Sequence, residues 1–319
     1  MHELRVDVTP PWPFRLRGGS ADGLLRRKGA SLQRLLHRDG APVHVAVLQP
    51  ATDRVIFGAR AESEPDAMWG IRRLRFATGV DEDLRPFHEA FRDDPVIGRA
   101  VRSAPELRPR RAPLPWETLA AAVTEQLIEF ERAVAIQRRM IAAWGARCPR
   151  TGLRDAPTPA AVAAAAPAEL TAMDLAPNRA LTLRRVAAEV AAGRVDLLAG
   201  DPMPGWRRLR AIPGIGPWTL EMLACYGQGH HDRVPAGDVG YLKLVGRATT
   251  GNPQARVDEA AVRAFFEPYG AWKGLAGDYL RIAAVRGLLP LSPARASRGR
   301  APVRPGTRWS SPARRSAAA

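Results

Sequence analysis

Over the first sixty residues the apolar positions alternate with polar ones. Leu4, Val6 and Val8 are each separated by a polar residue, Val43, Val45 and Val47 repeat the spacing, and Val55, Ile56 and Phe57 follow a turn-forming stretch. A period of two marks half-buried strands. Gly18, Gly19, Gly40 and the prolines near Pro10 break the runs. Two helices are then predicted, over 65–77 and 84–91. From Pro115 the period becomes helical. Leu119, Val123, Leu127, Phe130, Val134, Ile141 and Trp144 fall on one face, interrupted by Gln137. Residues 158–200 are rich in alanine. They carry helix starts at Thr158-Pro159 and at Pro167, and a helix from about Asn178 that stops at Gly193. Residues 160–166 can be read as a poly-alanine linker. Proline and glycine punctuate them at helical lengths, so a short helix is preferred. Further helices are expected from Asp238, over 258–266 and over 276–289.

The 319 residues carry a formal net charge of +16 and a pI of about 11.2. That balance favours a polyanionic partner, a nucleic acid or an anionic membrane. Nearly all of the excess is arginine, which genomic base composition can inflate, so charge alone weighs modestly. No apolar run approaches the length needed to span a bilayer, and the N-terminus lacks a basic segment followed by an apolar one. A soluble cytoplasmic protein is expected. Two cysteines, Cys148 and Cys225, exclude a disulfide framework and a four-cysteine iron–sulfur site. Cys225 is expected to be a buried thiol. His230 and His231 are expected as solvated loop histidines rather than metal ligands. After Pro290 the chain has seven arginines and no acidic residue, among proline, serine and alanine. This stretch is expected to be disordered, either a nonspecific phosphate-binding tail or an inert one.

The segment most informative about chemistry is LRAIPGIGPWT, residues 209–219. Arg207, Leu209 and Ile212 belong to an approach helix that Pro213-Gly214-Ile215-Gly216 cannot continue. Pro217 suits the first position of a new helix. Gly214 and Gly216 lack side chains, so backbone N–H groups there can approach a surface closely. They sit at a helix N-terminus, which favours an anion. In so basic a chain a phosphodiester is the natural candidate. Further on, PAGD ends in Asp238, a carboxylate delivered at the start of the next helix. An ordinary N-cap role for Asp238 is compatible with a catalytic one.

The hairpin followed by P-x-x-D resembles the helix-hairpin-helix and aspartate signature of DNA base-excision glycosylases. Within that superfamily it most resembles the bacterial alkylpurine (3-methyladenine type II) glycosylases. The resemblance covers roughly residues 115–289. The stretches DDPVIG (93–98) and PELR (105–108) fit the family's entry to its helical core more loosely. It implies a mainly α fold, with a helical glycosylase domain over 109–290 preceded by a small α/β domain over 1–108 and followed by the tail over 291–319.

The resemblance also implies site residues. Asp238 would face the oxocarbenium-like sugar of the transition state. Bifunctional relatives carry a lysine two residues after the second hairpin glycine; here that position is Trp218, and Lys243 and Lys273 do not match it. A monofunctional enzyme is implied, using water and leaving an abasic site. Trp218 and Trp272 would stack on a flipped, positively charged alkylpurine such as 3-methyladenine or 7-methylguanine, unless they are core aromatics. Met222 stands where the family often has an aromatic and would give an apolar wall. TEQLI (124–128) resembles the family's wedge segment, which fills the gap left by a flipped base. Gln126 would be capped by backbone partners or exposed at the end of the cleft. Leu127 would either insert into DNA or pack in the core. Gly214, Gly216 and Thr219 would donate N–H groups to the phosphate backbone of double-stranded DNA. No metal or cofactor is implied beyond a structural monovalent cation that hairpin carbonyls often hold. A monomer is expected, acting on the nucleoid. Rival readings are a same-fold glycosylase for other lesions and a noncatalytic DNA-binding protein.

Overall fold

A computed structural model describes residues 1–289; the arginine-rich stretch expected over 291–319 lies outside them. The chain opens with five strands: β1 (His2–Val8), β2 (Arg26–Lys28), β3 (Ser31–Arg38), β4 (Ala41–Ala51) and β5 (Arg54–Ala61). They form one antiparallel sheet in the order β1-β5-β4-β3-β2. Three of the strands lie where alternation predicted them. β3 was not predicted, because Leu32, Leu35 and Leu36 do not alternate and Arg34 interrupts them, yet all four are buried.

Helix α1 (Glu64–Thr78) covers one face of the sheet. Ser63 caps its start by accepting from the Asp66 N–H, and Gly79 ends it in the left-handed conformation, φ 65°. Gly70 lets it lie close: a Cβ there would stand 2.5 Å from Val43 Cγ1. This core comprises strand residues together with Ala67, Ile71, Leu74 and Val80.

α2 (Arg85–Phe91) and α3 (Gly98–Ser103) fall within the 1–108 unit drawn from the sequence. They do not pack on the sheet. Leu84, Phe87, Phe91, Ile97 and Val101 belong to the core built by the last helices of the chain. By packing, therefore, the division between sheet and helical body falls near residue 80.

The helical body continues with α4 (Pro115–Glu125), α5 (Phe130–Trp144), α6 (Pro159–Ala164), α7 (Pro167–Ala172), α8 (Pro177–Ala191), α9 (Met203–Arg210) and α10 (Pro217–Met222). The apolar face read from Leu119 to Trp144 is not one helix. It breaks at Gln126–Ile128, where Leu127 takes φ 57°. Thr158 caps α6, as its position before Pro159 suggested, and Gly193 follows α8 at φ 68°. After α10 the helix widens into a π-helical turn, Leu223–Gln228. α11 (Val239–Thr250), α12 (Glu259–Phe266), a 3-10 turn (Glu267–Trp272) and α13 (Lys273–Val285) complete the described chain.

The two halves are joined by a buried ion cluster. Arg34 Nη2 on β3 lies 2.6 Å from Glu117 Oε1 on α4 and 3.1 Å from Asp155 Oδ1, and His37 Nδ1 lies 3.0 Å from Asp155 Oδ2. Among the described residues no helix is long and apolar enough to cross a membrane.

Candidate active site

The hairpin between α9 and α10 forms as its glycines require. Gly214 has φ 90°, a region L side chains rarely adopt. A Cβ there would also stand 2.6 Å from Thr182 Oγ1. That hydroxyl donates to the Pro213 carbonyl at 2.9 Å and ties the hairpin to α8. Gly216 is different. Its backbone is extended and a Cβ would meet nothing within 4 Å, so its bare face is open. Pro217 starts α10, whose first-turn amides have no intrahelical acceptors.

Gln126 takes a backbone partner, one of its two expected settings, and a side-chain partner as well. Its Nε2 donates to the Gly214 carbonyl at 2.9 Å and to Thr219 Oγ1 at 3.0 Å. Thr219 is thereby buried by the turn after α4. Arg179 Nη1 donates to the Gln126 carbonyl at 2.5 Å. These bonds fix the turn beside the hairpin. Leu127 at its tip is fully exposed, with 101% relative exposure, and Phe130 follows at 57%. Core packing is therefore excluded for Leu127. The left-handed turn that points it outward has no local signature such as glycine or asparagine.

Asp238 caps α11, accepting from the Gly240 N–H at 2.9 Å. The PAGD loop before it is anchored: the Ala236 N–H donates to Glu221 Oε2 at 3.2 Å, and Arg263 Nη1 lies 2.6 Å from Glu221 Oε1. At Gly237 a Cβ would come 3.7 Å from that of Trp218, so the loop runs alongside α10. Asp238, Trp218 and Met222 then line one cleft of about 730 Å³, between α4, α5, α10, the π-helical turn and the edge of the sheet domain. Arg281 on α13 also lines it. Its Nη2 lies 3.4 Å from Asp238 Oδ1 and its guanidinium stands 4.3 Å over the Tyr241 ring. Tyr226, on the π-helical turn, reaches the same space.

Trp272 is not brought to this cleft. Phe87 on α2 packs edge-on against it at 5.8 Å between ring centroids, and it lies against the C-terminal core. The 3-10 turn that carries it, with Gly270 at φ 54°, sets it there. This corrects its expected place in a base pocket. His231 is also corrected. It is buried, with Nε2 3.4 Å from Arg111 Nη1, and burial together with Arg111 lowers its pKa to about 3. Cys225 is buried, and desolvation pushes its thiol pKa up.

The described residues contain no cluster of three or more His, Cys, Asp or Glu that could hold a metal. The hairpin carbonyls of Ile212, Pro213 and Gly214 each accept a hydrogen bond from this chain.

Sequence comparison places this geometry. No family model matches the chain. A probable bifunctional transcriptional activator/DNA repair enzyme AlkA of Mycobacterium tuberculosis is 30% identical over 253 residues, 76% of this chain and 50% of that protein. A DNA-3-methyladenine glycosylase of Bacillus subtilis is 24% identical over 228 residues, 69% of this chain and 75% of its own length. By sequence the chain is therefore similar to DNA-repair glycosylases. It spans half the length of the M. tuberculosis relative. Solved structures share the fold. A 3-methyladenine DNA-glycosylase from Archaeoglobus fulgidus superposes with a TM-score of 0.74 at 18% identity, covering 88% of this chain and 98% of its own. An 8-oxoguanine glycosylase/lyase of Clostridium acetobutylicum, in complex with double-stranded DNA, does so at 0.62 and 15% identity, covering 82% and 98%.

Glu125, Tyr226 and Arg281 are cleft residues that sequence reasoning left without a role. Arg281 meets its carboxylate partner across 43 positions, and no local motif marks it. Glu125 sits inside the wedge-like segment, immediately before Gln126 and Leu127, and no local motif marks it either.

Proposed function

We propose that the chain is a monofunctional DNA glycosylase that hydrolyses the N-glycosidic bond of alkylated purines, 3-methyladenine and 7-methylguanine among them, in double-stranded DNA. The observation that carries this reading is the convergence of Asp238 and Trp218 on one cleft, beside an open hairpin glycine and a fully exposed Leu127. Each part has a physical task. First-turn amides of α10 and the bare face of Gly216 receive a backbone phosphate. Leu127 enters the stack where the damaged nucleotide leaves it. Trp218 stacks on the extruded base, and its electron-rich face suits a cationic purine. Met222 supplies an apolar wall.

Asp238 then faces C1′. As the base departs, positive charge develops on the sugar, and a fixed carboxylate in a partly water-excluded cleft stabilises it. Water completes the hydrolysis. Lys273 Nζ is held by Glu267 Oε2 at 2.8 Å, on the 3-10 turn away from the cleft. No lysine lines the cleft among the described residues. The reading is therefore hydrolysis rather than Schiff-base lyase chemistry.

The test is release of methylated purines from duplex DNA by the purified full chain. Free 3-methyladenine or 7-methylguanine is expected, with strands breaking only after alkali and no adduct trapped by borohydride. A trapped adduct would replace hydrolysis by a lyase mechanism. DNA binding without base release would leave a noncatalytic binding protein.

A further inference from the structure

The cleft holds a second carboxyl to which the function proposed above gives no task. Glu125 ends α4 and lines the cleft with Asp238, Trp218 and Met222. Its Oε1 accepts from Gln137 Nε2 at 3.3 Å, and the same amide nitrogen donates to Thr124 Oγ1 at 3.1 Å. Gln137 thus fixes Glu125 on the wall made by α4 and α5, while Asp238 stands at the start of α11. Carboxyls from two elements share one space. Their settings also differ. Asp238 accepts from a backbone N–H at a helix start and lies beside Arg281, which suits an anion. Glu125 sits at a helix end, where the dipole disfavours an anion.

Burial pushes the Glu125 carboxyl above its ordinary range. The Gln137 bond opposes that shift, the charge of Asp238 adds to it, and Arg110 and Arg281 oppose it. Among the described residues, Asp22, Glu117 and Tyr226 are the other acidic groups that line the cleft, with Arg34 and Arg111 as its further cations. A carboxyl whose burial favours its protonated form, sharing one space with a second carboxyl, is an arrangement that can supply an acid and an anion in one site.

Resting on the role of Asp238 given above, we propose that Glu125 is a general acid that protonates the departing base, extending this cleft to neutral purine lesions. The C1′–N9 bond breaks and its electron pair passes to the purine. The Glu125 proton is taken up by a purine ring nitrogen, so that the base leaves neutral. Water gives its oxygen to C1′ and its surplus proton restores the Glu125 carboxyl. Base and abasic sugar are released and the protein is unchanged. A cationic alkylpurine already departs as a neutral base and needs no such proton. Hypoxanthine would depart as an anion without it.

The experiment compares single-turnover release of hypoxanthine and 7-methylguanine from duplex DNA by the full chain and by Glu125→Gln, which keeps size and polarity. Hypoxanthine release is expected to fall by on the order of 10²-fold, while 7-methylguanine release stays within about threefold. Retained 7-methylguanine release also reports a folded variant. Equal loss on both bases, or no loss on hypoxanthine, overturns the acid role. The wild-type chain supplies a second readout, independent of folding. The ratio of hypoxanthine to 7-methylguanine release should fall as the pH is raised from acid to alkaline, and a constant ratio overturns the proposal. A wild-type chain that releases 7-methylguanine but no hypoxanthine removes the acid role and leaves the proposed function standing. Release of neither base removes both.

Discussion

Arg281 Nη2 lies 3.4 Å from Asp238 Oδ1, in the cleft that Trp218 also lines. The contact joins the start of α11 to α13 and meets the same carboxylate oxygen that accepts the capping bond from the Gly240 N–H. Asp238→Asn keeps the shape of the side chain and removes the charge. Base release should fall by on the order of 10²-fold or more, as when a main electrostatic stabiliser is lost. Binding to DNA should persist in a gel-shift assay. Unchanged release would take Asp238 out of the mechanism.

The two hairpin glycines should respond differently. Gly214→Val meets both a left-handed backbone and Thr182, so it should lower the melting temperature as well as DNA affinity. Gly216→Val meets no neighbour in the protein and should melt like wild type. Its affinity for damaged and undamaged duplex should still drop in parallel, because a phosphate contact carries no base information. If only lesion selectivity changed, the hairpin would have a different task.

Leu127 separates activity from stability. The residue is exposed and left-handed, a conformation that costs an L residue roughly 1–2 kcal/mol. Leu127→Gly should therefore raise stability in urea by up to about 1 kcal/mol, while base release from duplex DNA falls. A stabilised variant with full activity would show that nothing is inserted by this side chain.

The two tryptophans are expected to part company. Trp218→Ala should slow release of cationic alkylpurines by the loss of stacking and cation–π attraction, together roughly 0.5–2 kcal/mol. Trp272→Ala should instead destabilise the fold by about 3–5 kcal/mol, leaving rates unchanged in the protein that remains folded. Calorimetry and single-turnover kinetics on both variants check this.

His231 should make the fold acid-sensitive. Its folded pKa, about 3, lies below the 6.5 of an unfolded histidine. Between those values the unfolded chain binds the proton and the folded chain does not. The stability contributed is complete above pH 6.5 and is lost as pH falls toward 3, by up to ~1.4 kcal/mol per pH unit. His231→Gln, which keeps an acceptor for Arg111, should narrow the gap in urea stability between neutral and mildly acidic pH. An unchanged gap would place the acid-sensitive group elsewhere.

Local patterns carried much of this structure. Alternation marked β1, β4 and β5, and proline and glycine placed α6, α7, α8 and the hairpin, because those features depend on a residue's own backbone preferences. What depended on distant partners was not legible. β3 is buried on both faces, so it shows no alternation, and its Arg34 is tolerated only because Glu117 and Asp155 meet it. Trp272 sits at a plausible spacing from the hairpin, but Phe87, from the other end of the chain, decides where its ring goes. The break at Leu127 was hidden because its residues keep a helical period across a turn that Gln126 and Arg179 stabilise from outside.

Arg34 has one more consequence. It lines the cleft as well as binding Glu117 and Asp155, the latter 121 positions away. Until the sheet docks, two acidic side chains of the helical body lie without their counter-charge, and one of them forms part of the cleft wall. The cleft therefore takes its final charge only when the first forty residues have found the middle of the chain. A fragment beginning after the sheet would inherit every residue near Asp238 and still present the wrong electrostatic interior. Assembly of the whole chain is thus built into the chemistry of the pocket as a condition of its competence.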